Sequence, residues 1–163
     1  MDKRLYDLAV EVGLALKAGG LMLVTAESCT GGWVGEAVTM VPGSSEWYER
    51  GFITYTNVAK HEMLGVANAT LEKFGAVSAE TVQAMVSGAL AHSHAGIAIA
   101  VSGVAGPSGG SPAKPVGTVC LAWGKRDGEA SAETYHFPGD REAVRRHSVE
   151  RALEGVLALV SRA

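Results

Sequence analysis

Apolar residues recur at helical spacing near the start of the chain: Leu5, Leu8, Ala9, Val12 and Leu16 fall at i, i+3, i+4, i+7 and i+11, and Gly19-Gly20 follows. This pattern predicts an opening amphipathic helix that ends at the glycine pair. The unbroken apolar run Leu21 to Val24 reads as a buried strand and Trp33 to Met40 as a helix, with Gly43-Ser44-Ser45 closing that region. Phe52 to Tyr55 reads as a second strand, and Asn57 as the cap of a helix that carries Lys60. Another helix begins near Ser78 and buries Val82, Met85, Val86 and Ala89, while Ile97 to Val101 has the continuous apolar character of a strand covered on both sides. Thr118 to Trp123 and Glu133 to Phe137 are two more strands joined around Asp127-Gly128, a hairpin turn signal. A long helix with Val149, Ala152, Leu153, Val156 and Val160 on its buried face ends the chain. Helices alternating with strands, then a hairpin, predict an α/β fold: a three-layer α/β/α sandwich around a mixed, mostly parallel five-stranded core sheet, one strand running against the others.

Composition narrows the class. At 163 residues and 47 % hydrophobic, the sequence suits one domain spanning 1–163 with a substantial core. A formal charge of −3 and the lack of any basic block argue against a nucleic-acid partner, although single phosphates remain possible ligands. There is no secretory apolar segment and no run approaching the roughly 18 apolar residues of a membrane span, so a cytoplasmic location and no membrane partner are expected. Cys29 and Cys120 have neither metal nor redox spacing, and no histidine pair has ligand spacing; no metal site and no cofactor are expected.

The segment Thr25 to Gly32, TAESCTGG, contributes nothing to a core. It falls between a strand and a helix, at the carboxyl edge of an open sheet, where a helix start offers N–H groups and a positive dipole end to anions and developing oxyanions. Ser28, Cys29 and Thr30 are candidate nucleophiles or donors, and Gly31 and Gly32 allow close backbone approach. A plain capped helix start is the alternative. Lys60 falls in the first turn of its helix, where the dipole disfavours an added positive charge; with partial burial its amine becomes available as a general base. Tyr55, near the same sheet edge, can converge with Ser28 and Lys60, the alternative being a solvated lysine and a packed tyrosine. The loop Ser102 to Gly117, SGVAGPSGGSPAKPVG, is longer than an ordinary connection and reads as an ordered ligand loop, or else as a flexible crossover with Lys114 solvated. Arg145 and Arg141 continue the buried face of the last helix, so both should point inward towards an anion, either a substrate phosphate or an internal acid such as Glu27; Arg146 should be exposed. A Cys29 and histidine pair is the rival nucleophilic machinery.

These motifs recur together in one family. TAESCTGG, GSS with ERGFITYTNVAK, LGV, GAVS, SGVAGPSGG with KPVGTV, and FPGDREAVRR run nearly end to end, and in them the chain resembles the CinA carboxyl-terminal domain family, whose stand-alone members include nicotinamide-nucleotide amidases. The resemblance implies hydrolysis of the carboxamide of nicotinamide mononucleotide to nicotinate mononucleotide and ammonia, and assembly as a homo-oligomer. It places the nucleophile on Ser28, the lysine on Lys60 and the tyrosine on Tyr55, with the phenol in the proton path. Substrate binding is expected from Cys29, Thr30, Gly31, Gly32, Ser44, Ser102, Gly103, Gly106, Gly109, Gly110, Arg141 and Arg145. Many members carry threonine where Ser102 stands, which puts any role of a methyl group there in doubt. Longer relatives carry an amino-terminal domain with pyrophosphatase activity; this chain starts at the first amidase helix, so that activity is expected to be absent. A different class of reading is a non-catalytic nucleotide-binding module, since the same loops and arginines would hold a phosphate without chemistry.

Overall fold

The computed structural model describes residues 1–162. Helix α1 (Lys3–Gly19) is capped at its start by the Asp2 side chain and ends with Gly20 in the left-handed region, as the glycine pair predicts. Strand β1 (Leu23–Glu27) leads into α2 (Trp33–Thr39), and a short 3₁₀ turn (Ser44–Glu46) precedes β2 (Tyr48–Ile53). Helices α3 (Asn57–Leu64), α4 (Asn68–Phe74) and α5 (Ala79–Ala91) follow, then β3 (Ile97–Gly103), β4 (Thr118–Lys125), β5 (Ser131–His136) and α6 (Arg141–Val160).

The strands form one sheet in the order β2-β1-β3-β4-β5. β2, β1 and β3 are parallel, and β4 is antiparallel to both its neighbours, so one strand opposes four as expected. The two faces differ in size. Leu23, Ile97, Ile99, Val101, Val119, Leu121 and Trp123 face α1, α2 and α6. Ala26, Ala98, Ala100 and Ala122 face α3, α4 and α5. Alanines let helices approach closely, and Gly88 of α5 lies so near α3 that an added Cβ would meet the Leu64 carbonyl. Each fully buried Leu, Ile or Val contributes about 1.5–3 kcal/mol, and these packed layers fix the strand ends that carry polar residues.

Several predicted elements differ. β1 is displaced to Leu23–Glu27, so Thr25, Ala26 and Glu27 belong to the buried strand and Ala26 is part of the core, against the expectation that TAESCTGG contributes nothing to it. β2 starts at Tyr48 rather than Phe52 because it is an edge strand whose Glu49, Arg50 and Gly51 hide its alternation. Thr56, not Asn57, caps α3: its hydroxyl accepts from the Ala59 N–H at 3.1 Å. Helix α4 was not predicted, because only Leu71 of its seven residues is buried and no apolar stripe marks it.

Candidate active site

At the carboxyl end of β1 the chain turns through Ser28 to Gly32, and the residue that organises this turn is Glu27. Buried at 2 % exposure, its carboxylate accepts from Thr30 Oγ1 at 2.6 Å and from the Val34 and Gly35 N–H groups at 2.9 and 3.0 Å. The start of α2 is therefore already filled by an internal anion. This overturns the expectation of an open helix terminus there, and it removes Glu27 as a partner of Arg141 or Arg145. The Gly31 N–H closes the turn onto the Ser28 carbonyl at 3.0 Å, and Gly31 and Gly32 both have positive φ, 59° and 104°, a region that favours glycine. Arg145 holds the turn from the α6 side, donating to the Cys29 and Thr30 carbonyls at 3.0 and 3.2 Å with its guanidinium over the Trp33 ring.

Ser28 and Lys60 meet. Lys60 is 1 % exposed, and its Nζ lies 2.9 Å from Ser28 Oγ and 3.0 Å from the Thr54 carbonyl. Both ends of this pair are anchored in the sheet: the Ser28 N–H donates to the Val101 carbonyl at 3.0 Å and the Thr54 N–H to the Glu27 carbonyl at 2.8 Å. Burial pushes the Lys60 pKa below its ordinary value, since the ammonium loses its water. Of the two causes expected, the helix dipole and partial burial, burial is the larger. Next to them, burial pushes the Cys29 thiol up to about 12, so at neutral pH it is a protonated, poor nucleophile.

A cavity of about 330 Å³ opens over this pair, lined by Ser28, Cys29, Tyr55, Asn57, Lys60, Ala76, Val77, Ser102 to Gly106, Ser108, Gly109 and Arg141. Its size suits a small ligand. Ser102, 1 % exposed at the end of β3, has no hydrogen-bond partner among the described residues and offers its hydroxyl to the cavity. Gly103 lines the wall where a Cβ would strike Val119 Cγ2 at 2.7 Å. The backbone N–H groups of Cys29, Ala105, Gly106, Ser108 and Gly109 likewise have no protein acceptor among the described residues. Arg141 stands at the mouth, donating to the Gly106 carbonyl at 2.8 Å and to the Tyr55 hydroxyl at 3.1 Å.

Several expected site residues lie elsewhere. Ser44 sits in the 3₁₀ turn just ahead of β2, at the amino edge of the parallel strands and away from the cavity. Thr30 is fully buried with its hydroxyl bound to Glu27, Gly31 and Gly32 shape the turn without lining the cavity, and Gly110 packs against Val116 N. Arg145 is half-buried and bound to carbonyls, and Arg141 is exposed at the cavity mouth, so among the described residues neither meets the internal acid that was one of the two expected anions. Arg146, expected exposed, is half-buried in ion pairs with Asp2 and Glu150. Tyr55 is 60 % exposed; because β2 ends at Ile53 the chain has already turned, and what reaches Ser28 Oγ is the Tyr55 backbone carbonyl, 3.4 Å away. Sequence reasoning missed Glu27 as a cap, although an acid beside a hydroxyl cluster before a helix is a recognisable signal. It also missed Ala76 and Val77, which no local pattern marks. No histidine lines the cavity, and among the described residues no group of three or more His, Cys, Asp or Glu is placed to hold a metal.

The CinA C-terminal domain profile matches residues 5–160. The chain belongs to the CinA C-terminal domain family. A nicotinamide-nucleotide amidohydrolase PncC from Pseudomonas putida is 56 % identical over 153 residues, which cover 93 % of this chain and 94 % of that protein. The protein of the same name from Enterobacter agglomerans is 50 % identical over 156 residues, 96 % of this chain and 95 % of its own. Among solved structures, the competence/damage inducible protein CihA from Agrobacterium tumefaciens matches with a TM-score of 0.93 at 46 % identity, over 96 % of this chain and 95 % of that one. A CinA superfamily protein from Klebsiella pneumoniae gives a TM-score of 0.94 at 38 % identity, over 98 % and 99 %. This member of the CinA C-terminal domain family thus shares the α/β architecture over nearly its whole length. Among its described residues, no helix is long and apolar enough to cross a membrane.

Proposed function

We propose that this chain is an amidohydrolase that converts nicotinamide mononucleotide to nicotinate mononucleotide and ammonia, with Ser28 as nucleophile and Lys60 as its base. The observation that carries the reading is the buried Lys60 amine 2.9 Å from Ser28 Oγ at the floor of a ligand-sized cavity. The names of the relatives with 50 to 56 % identity supply the substrate.

A neutral Lys60 takes the proton from Ser28 as Oγ bonds to the carboxamide carbon, and the carbonyl π electrons move to its oxygen. In the resting site the Ser28 hydroxyl donates to the Tyr55 carbonyl at 3.4 Å, and rotation about the Cβ–Oγ bond turns its proton onto the Lys60 amine. The backbone N–H of Cys29, which has no protein acceptor among the described residues, is the candidate donor to the oxyanion, and one such donor is typically worth about 3–4 kcal/mol. Collapse breaks the C–N bond as Lys60 returns its proton to nitrogen, and ammonia leaves. Water, deprotonated by the same amine, then adds to the ester; collapse breaks the C–Oγ bond and restores Ser28. The positive pyridinium draws electrons from the carbonyl carbon and makes the amide easier to attack. Arg141 at the cavity mouth and the free loop amides are suited to the phosphate. Assembly as a homo-oligomer belongs to the same reading.

The test is single-turnover ammonia release from nicotinamide mononucleotide by the wild-type chain and by Ser28→Ala. The variant should lose at least about 10³-fold, in line with removal of a catalytic nucleophile. Near-normal release by Ser28→Ala removes the mechanism. Saturable binding with the nucleotide unchanged by mass spectrometry removes the amidohydrolase and supports a binding module.

A further inference from the structure

The Gly/Pro/Ser loop between β3 and β4 presents the cavity with amides that have no protein acceptor, yet little of its own hydrogen bonding holds it in place. At its base, Val104 N–H donates to the Thr118 carbonyl and Gly117 N–H to the Val104 carbonyl, both at 2.8 Å. Beyond that base the exposed residues 107–113 hang between two side chains. One is Arg141, on the Gly106 carbonyl. The other is Lys114, whose Nζ reaches across to the Phe74 carbonyl at 2.7 Å.

The Lys114 contact joins the loop to a fixed post. Phe74 is the last residue of α4, so its carbonyl is an unsatisfied helix-end acceptor at the negative end of the dipole, a favourable place for an ammonium. The corner that follows is tied to α5: the Gly75 carbonyl accepts from Ser78 Oγ at 2.9 Å and from Thr81 Oγ1 at 2.6 Å. That corner supplies Ala76 and Val77 to one wall of the cavity, and the loop supplies Ser108 and Gly109 to the other. Lys114 is itself pre-oriented by a tight local turn, its N–H donating to Ser111 Oγ at 3.1 Å and its carbonyl accepting from Ser111 N at 3.0 Å. One ammonium thus spans the two walls.

We propose that Lys114 is a positioning residue, a latch that fastens the loop to the α4–α5 corner and keeps the amides of residues 105–109 at the distance the bound nucleotide requires. Its effect on kinetics rests on the amidohydrolase reading; its effect on the loop does not. Lys114 touches none of the reacting atoms, so its loss should weaken ground-state and transition-state binding alike.

The experiment compares the wild-type chain, Lys114→Met and Lys114→Arg. Hydrogen exchange without ligand should be faster in Lys114→Met at the hydrogen-bonded amides of Val104, Ser111, residue 114 and Gly117, by about tenfold, and unchanged in α5, as expected when only a local opening becomes easier. In ammonia release from nicotinamide mononucleotide, Lys114→Met should raise KM about tenfold with kcat within about twofold, the signature of lost uniform binding. Lys114→Arg keeps a donor of similar reach and should restore both. Unchanged exchange in Lys114→Met overturns the latch, as does faster exchange with an unmoved KM. A raised KM with unchanged ligand-free exchange also overturns it, because Lys114 would then act on the ligand directly. If the wild-type chain releases no ammonia, the amidohydrolase reading fails, and the exchange result alone decides the latch.

Discussion

Replacing Glu27 with alanine tests whether the turn that carries Ser28 is built around one buried carboxylate. The side chain satisfies the Val34 and Gly35 N–H groups and the Thr30 hydroxyl, at 2.6 to 3.0 Å, with Thr30 and Val34 fully buried. Removing it orphans two backbone donors and a hydroxyl together, and each buried polar group left unpaired costs about 1–3 kcal/mol. Water entering the vacated space recovers part of this, so the expected loss is about 3 kcal/mol, somewhat above the usual range for a lost side-chain cap. In a chain of this size that corresponds to a fall in melting temperature of about 6–12 °C. Glu27→Gln, which keeps one acceptor oxygen but turns an NH₂ towards a donor, should fall between the two. The assay is urea unfolding of the three proteins, with ammonia release measured on the same samples at a temperature where all are folded. Activity should fall in Glu27→Ala even there, since Ser28 is the next residue. A stability loss below about 1 kcal/mol would refute the argument, for it would mean that α2 satisfies its own amides and that the carboxylate is incidental.

Lys60→Met should abolish the rise of kcat/KM with pH that a neutral-lysine base imposes, and should lower the rate by about 10²–10⁴. The sign for stability is also defined: burial lowers the folded pKa below the ordinary 10.5, so the unfolded chain binds more protons between the lowered value and 10.5. Wild-type stability therefore rises with pH through that window, and a denaturant series across it should show the slope vanish in Lys60→Met. Arg141→Met should raise KM about tenfold for the nucleotide, the loss of one charge-assisted contact, but hardly at all for the riboside that lacks the phosphate. Arg145→Met should lower kcat for both, because its partners are the Cys29 and Thr30 carbonyls; equal phosphate dependence in the two variants would contradict the assignment. Gly88→Ala should destabilise by about 2–4 kcal/mol in chemical denaturation, because the new methyl displaces the backbone of the helix that carries Lys60.

What could be read in the sequence followed from periodicity. The five strands, the reversed β4 and the long α6 with Val149, Ala152 and Val156 buried were legible because each carries a strong apolar pattern set by the layers around it. β2 was misjudged at its start because an edge strand needs only one buried face, and its residues read as polar. Ser28, Lys60, Ser102 and Arg141 could be named because each stands at an element's end on the carboxyl edge of the sheet. The roles of Tyr55 and the arginines were less visible. Helical phase fixes which side of α6 Arg145 occupies, but not that its guanidinium will find two carbonyls rather than an anion. For Tyr55 the group that reaches Ser28 Oγ is the main-chain oxygen, which residue type does not advertise. Ser44 was carried into the site by its motif alone, and chain direction puts it at the opposite edge.

The depth of the cavity divides its residues into two populations with different freedom to change. At the floor, Ser28 and Lys60 are enclosed by elements that also support one another, with Glu27, Thr54 and Val101 all linked to the pair through the backbone. Any replacement there is felt through the sheet. At the rim, Tyr55, Asn57, Ser108 and Arg141 are exposed and rest on little besides one another and the loop. A lineage could exchange those residues one at a time and change what the cavity admits, while Ser28 and Lys60 stay as they are.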